Sequence, residues 1–246
     1  MLDSKSVSRT IKQELSRQSV YLLPLRLFIG LGWIRASLEK FITAGWYDGS
    51  ALTGFFDQQL SGGHVVFPLY QQLVTGVFEP NAVALSWIIM IGQMLVGLAV
   101  TFGVLTNFAL LCGLFMNVNF VLVGAVNPSA FYIVIQTALL VTNVGAVFGL
   151  DRILSRHIPS FFLTAQPGGN SKYWRFERMC LFIAAVVAVI IGLASVPYIQ
   201  DYSPHSVDDP AMLMVILSVL TGLTALITAL RIRSRLAAYP PRLQME

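Results

Sequence analysis

AVALSWIIMIGQMLVGLAVTFGVLTNFALLCGLFMNVNFVLVGAV, residues 82–126, decides the fold. It is apolar almost throughout and carries no charged side chain. Its one strong break is GVLTN at 103–107, short enough to force the flanking helices into antiparallel contact. Split there, the stretch yields two segments close to the ~20 residues with which a helix crosses about 30 Å of hydrocarbon. Period-two alternation is missing, which speaks against an outer-membrane barrel.

Working outward, apolar runs between charged or Pro/Gly punctuation predict helices over 19–41, 81–103, 106–126, 129–149, 178–199 and 210–231. The expected fold is therefore all-α, a polytopic membrane helix bundle of about six transmembrane helices. Composition agrees: 56% of residues are hydrophobic and 11% charged, against roughly 25% charged in a soluble domain. A net charge of +4 would suggest nucleic acid in a soluble protein. Here the basic residues flank the apolar runs, so they set topology and no nucleic acid is expected. The charged residues 1–18 followed by an apolar run resemble a secretory signal, but Arg26 and Arg35 interrupt that run and a small-residue cleavage site is missing. It reads as a retained first helix.

Six spans place both ends of the chain on one side. The loops there hold Lys5, Arg9, Lys12 and Arg17, then Arg152, Arg156, Lys172, Arg175 and Arg178, then Arg231, Arg233, Arg235 and Arg242. Asp48, Asp57, Glu79, Asp201, Asp208 and Asp209 fall on the other side. The positive-inside bias makes the basic side, and both termini, cytoplasmic, with the protein in the cell inner membrane.

The expected organisation is a cytoplasmic segment 1–18, a four-helix membrane core 19–150, a cytoplasmic linker 151–177 interrupted by Pro159 and Pro167, an accessory hairpin 178–231 and a basic tail 232–246. Within the core, 45–80 contains the amphipathic runs SALTGFFDQQL and VVFPLYQQLVTGVF. They read either as a cap lying at the interface or as an ordinary outer loop with lipid-contacting rings.

Charged groups in hydrocarbon cost a few kcal/mol each, so those in a span need a partner, water or a function. Arg26, Gly30, Trp33, Ser37 and Lys40 fall along one line of the first helix, while Arg35 and Glu39 share the opposite face at i,i+4 spacing. The second pair reads as a structural ion pair reaching the headgroups. Arg26, next to Pro24, should face the bundle interior or water, holding an anionic or quinone-type head group or pairing with phosphate or a carbonyl. Gln93, Asn107, Asn117, Asn119, Gln136 and Asn143 suit interhelical hydrogen bonds. Asn117 and Asn119, two apart, cannot share one narrow face.

All three histidines lie in predicted loops, so no span supplies the axial pair of a b-type haem and no metal-ligand spacing appears. Walker, GxSxG and Rossmann motifs are missing, as is an arginine ladder. Cys112 and Cys180 form no CxxC pair.

RLFIGLGWIRASLEKF at 26–41, GQMLVGLAVTFGVLTNFALLCGLFM at 92–116 and NPSAFYIVIQTALLV at 127–141 resemble the DoxX/DoxD family of small bacterial and archaeal membrane proteins. The resemblance covers about residues 20–150 and implies a four-helix unit. One branch supplies a membrane subunit of thiosulfate:quinone oxidoreductase. By position, Arg26 matches the family's arginine at the head of the first helix, and Glu39 with Lys40 match its ending. Family members usually carry Glu at Gln93 and Arg or Lys at Asn107, so two ionisable positions are neutral amides here.

The resemblance implies a membrane subunit that passes electrons from a sulfur compound to quinone, quinone being a substrate and not a resident cofactor. Arg26, Trp33, Ser37, Glu39, Lys40 and Gln93 are the candidate residues for quinone or lipid head-group binding. Membrane lipid and a second protein subunit are the expected partners, and a homo-oligomer stays open. The alternative is a noncatalytic scaffold whose hairpin and RIRSRLAAYPPR tail dock a partner protein. A solute transporter is a third reading, but no pair of broken helices in corresponding halves supports it.

Overall fold

The structure, a computed structural model, describes residues 18–158, 160–164, 171–200 and 209–238. The expected basic segment 1–18, apart from Gln18, and the tail beyond Ala238 lie outside the described residues. After a 3-10 turn, Gln18–Leu22, the chain forms α1 (Leu23–Ile42), with Pro24 in the first turn where its missing N–H costs nothing. Helices α2 (Ser50–Ser61) and α3 (Pro68–Leu73) follow, and α3 runs through a π-helical turn and a 3-10 turn into α4 (Ala82–Phe102). Then come α5 (Thr106–Leu122), α6 (Ser129–Leu140), the short α7 (Asp151–His157) and α8 (Phe161–Thr164), and the long pair α9 (Ser171–Ser195) and α10 (Pro210–Ala238). The described residues contain no strand, and the protein is an all-α membrane bundle.

Four stretches are long and apolar enough to cross a bilayer: Val20–Ile42, Pro68–Phe102, Arg175–Tyr198 and Pro210–Leu230. The third and fourth helices are shorter than the sequence suggests, ending at Leu122 and Leu140 instead of near 126 and 149. After Leu140 the backbone turns irregular and is buried at Val144, Gly145, Ala146 and Val147, where protein and not lipid surrounds it. That is the setting in which non-helical backbone survives at membrane depth. The last two helices are longer than expected. Arginine and lysine are good helix formers, so the charges in 172–178 and after 230 end the apolar stretch without ending the helix.

α1 packs against α4, α5 against α6 and α9 against α10. Ile29, Trp33, Val96, Val100, Leu110, Leu139 and Val144 form one core shared by the first four long helices. Leu52, Phe56, Val65 and Val74 seat the 45–80 segment on one end of α4 and α5 through Ile89 and Val123. The hairpin α9–α10 attaches where Met214 and Leu217 meet Val121 and Ile133. Tyr198, past the end of α9, reaches Phe67 of the cap edge-on, ring centres 5.2 Å apart. The bundle thus has an Arg26 end and a cap end.

Candidate functional site

The Arg26 end is a knot of backbone and two charges. Arg26 is only 2% exposed. Its Nη1 donates to the carbonyls of Val144 at 2.7 Å and Val147 at 2.8 Å, and Nη2 donates to that of Thr101 at 3.3 Å. The guanidinium therefore takes the carbonyls that α6 releases by unwinding, which accounts for the shortened helix. Facing it, Asp151 accepts the Leu105 N–H at 2.6 Å and the Thr106 N–H at 2.8 Å, capping α5 from a position 46 residues beyond Leu105. The local N-cap is Leu105, which has no side chain able to do this. The Asp151 N–H closes the knot on the Gly103 carbonyl at 2.7 Å. Gly103 permits the turn by adopting φ +67°. Burial pushes the Asp151 carboxyl above its ordinary range, against the pull of the Thr106 and Leu105 donors and of the Arg26 charge.

Midway along the bundle each of the first four long helices turns one buried polar side chain inward: Trp33 from α1, Gln93 from α4, Asn117 from α5 and Gln136 from α6. Asn117 Nδ2 donates to Gln136 Oε1 at 3.1 Å. Trp33 Nε1, Gln93 Oε1 and Gln136 Nε2 are buried with no hydrogen-bond partner. Asn119 points the other way, accepting the Tyr70 hydroxyl at 2.9 Å. The two asparagines do serve different neighbours, as their spacing requires. Asn107 Nδ2 donates to the Leu140 carbonyl at 3.0 Å.

On the outer side of α4 and α5 runs an apolar groove of about 740 Å3. It extends from Val104 and Leu105 at the Arg26 end to Phe56, Tyr70 and Phe78 under the cap, with Gly92, Val96 and Cys112 among its walls. Phe108 and Phe115 of the same wall are exposed, so the groove opens sideways toward lipid.

No family model, curated protein or solved structure matches this chain.

The candidate residues of the first helix separate. Arg26, Trp33 and Ser37 are buried on the inward line, and the Ser37 hydroxyl donates to the Met90 carbonyl at 2.7 Å, binding α1 to α4. Lys40 leaves that line for the cap end, where its Nζ lies 4.9 Å from the centre of the Trp46 ring and donates to the Ala36 carbonyl at 3.3 Å. Glu39 and Arg35 are both exposed, and the ion pair expected from their spacing is not formed. At the bundle surface each can reach solvent or headgroups separately, which costs less side-chain entropy than holding one joint geometry. Gln93 joins the inner cluster. The sequence marks Asn117 and Gln136, its other amides, only as packing residues, and Asp151 and Tyr70 carry no signal in it because their partners are distant in sequence.

Proposed function

We propose that this chain is the quinone-binding membrane subunit of an oxidoreductase complex in the cell inner membrane, crossing it six times with both termini cytoplasmic. The observation that carries the reading is the groove between α4 and α5. It is long, apolar, open to the bilayer and roofed by aromatic rings, the shape an isoprenoid tail requires. A transmembrane bundle with such a fissure takes a chain-like hydrocarbon from the surrounding membrane. Electrons come from a partner subunit that oxidises a sulfur compound such as thiosulfate, following the resemblance to the DoxX/DoxD family. The buried irregular stretch after α6 lets the short fourth helix complete its crossing, which keeps the number of passes even.

The test is reduction of a decyl-substituted benzoquinone by the purified complex supplied with thiosulfate. Cys112 is half-buried in the groove wall, and Cys112→Phe fills the space that the tail would use. At least a tenfold drop in kcat/KM, equivalent to about 1.4 kcal/mol, is expected in this variant, with no change in Phe131→Ala on an exposed face. An undiminished rate in Cys112→Phe would reduce the chain to a noncatalytic scaffold.

A further inference from the structure

Two of the three unpaired groups at mid-bundle, Trp33 Nε1 and Gln136 Nε2, are donors, and the third, Gln93 Oε1, is an acceptor. A buried donor without an acceptor is costly anywhere and more so where lipid surrounds the protein. Trp33 Nε1 can only donate. Gln136, whose Oε1 is occupied by Asn117, has Nε2 left to donate. Both residues are no more than 2% exposed.

These two donors converge on a single point. A Cβ placed on Gly113 would lie 2.6 Å from Gln136 Nε2 and 3.2 Å from Trp33 Nε1. The third atom crowding the same point is Val96 Cγ1, also at 3.2 Å. Val96 is a wall of the groove, as is Cys112, which neighbours Gly113. The donor pair and the groove are therefore separated by the thickness of one valine side chain. Beside that valine, Gly92 meets only the Met116 thioether, at 3.7 Å from where a Cβ would stand. A flexible methionine and a single χ1 rotation of valine are small barriers to rearrangement.

We infer that the indole N–H of Trp33 and the amide N–H of Gln136 are the head-group end of the groove, binding a ring carbonyl oxygen of quinone that enters past Val96 while its tail stays between α4 and α5. The inference rests on the quinone reading and adds the residues that recognise the head. Charge plays no part: both donors are neutral, which selects a neutral carbonyl acceptor over a phosphate or carboxylate. Arg26 keeps one unpaired donor, Nε, but it is a poorer candidate because its charge favours an anion over a neutral carbonyl and both its Nη atoms already donate to backbone carbonyls.

The test uses the complex in nanodiscs with Trp33 as the sole tryptophan of this chain, Trp46, Trp87 and Trp174 being replaced by phenylalanine. Titration with decyl-benzoquinone should quench Trp33 emission saturably, and Gln136→Leu should weaken binding about tenfold by removing one hydrogen bond and leaving the carbonyl desolvated. In the unaltered complex the infrared carbonyl band of bound quinone should shift to lower frequency than in protein-free bilayers. An unshifted band, or equal affinity in Gln136→Leu, overturns the assignment of the head-group donors. If Cys112→Phe still abolishes binding in that case, the groove reading survives alone. Absence of saturable quinone binding in the unaltered complex, or equal displacement by decanol, overturns both.

Discussion

Arg26 resolves the problem of a charge at membrane depth with backbone carbonyls and not with a carboxylate at salt-bridge distance. Its inward direction is legible in the sequence, because Arg26, Gly30, Trp33 and Ser37 recur at helical spacing and all four are buried. Its partners are not legible, because Val144 and Val147 lie more than a hundred residues away in a stretch that reads as helix. Lysine would keep the charge but offers one nitrogen where the guanidinium offers two in a fixed fork. Arg26→Lys should therefore cost about 2–3 kcal/mol of stability, the scale of charged hydrogen bonds lost at a buried site. The measurement is a denaturant or thermal melt, with quinone affinity of the folded fraction unchanged. Unaltered stability would mean that the carbonyl contacts contribute little.

At the opposite end, Asp48 is exposed and accepts both the N–H and the hydroxyl of Ser50, at 3.0 and 2.7 Å. These bonds hold its carboxyl below the usual range. A depressed value in the fold means that the ionised form favours the folded loop above the unfolded-chain value of about 3.9, and that the benefit disappears as pH falls through the lower folded value. The protection factors of the first-turn amides of α2, hydrogen-exchange rates divided into the intrinsic rates at the same pH, should therefore fall on acidification below about pH 4, and Asp48→Asn should remove that pH dependence. Persistence of the same dependence in the variant would assign it to another carboxylate.

Among the elements, the crossing of α1 and α4 is set by two glycines. A Cβ on Gly97 would stand 2.7 Å from the Ile34 backbone nitrogen and 2.9 Å from the Gly30 carbonyl, so the helices touch backbone to backbone. Close approach of this kind is the main source of helix affinity in lipid, where hydrophobic burial offers little between helices. Gly97→Val forces the pair apart and should destabilise by about 1–3 kcal/mol, the usual cost of overpacking, seen as a lower midpoint of unfolding in mixed detergent. A neutral effect would show that the crossing can slide. Small residues at this place are visible in the sequence, but which helix they serve is not. Apolar continuity after Leu140 suggested helix to 149, whereas tertiary demand from Arg26 overrides local propensity there.

For the molecule as a whole, the all-α membrane bundle is legible from hydropathy, and the short connections after α4 and α5 make α4, α5 and α6 antiparallel neighbours. The groove was not legible, because it arises from how far α4 and α5 splay and not from any motif. The proposed orientation in the membrane rests on the charge asymmetry of the loops. Ser61, at the exposed end of α2, belongs to the cap end, while Ile153, exposed on α7, belongs to the Arg26 end. In a background with Cys112→Ser and Cys180→Ser, Ser61→Cys should react with a membrane-impermeant maleimide added to intact cells, and Ile153→Cys should react only after permeabilisation. Tyr198→Cys, half-way exposed beside the cap, should follow Ser61→Cys, because the Phe67 contact ties the end of α9 to that side. Labelling of Ile153→Cys from outside would invert the proposed orientation. Labelling of Ser61→Cys and Ile153→Cys from the same side would remove the even number of crossings, and the quinone entry path between α4 and α5 would have to be redrawn with it.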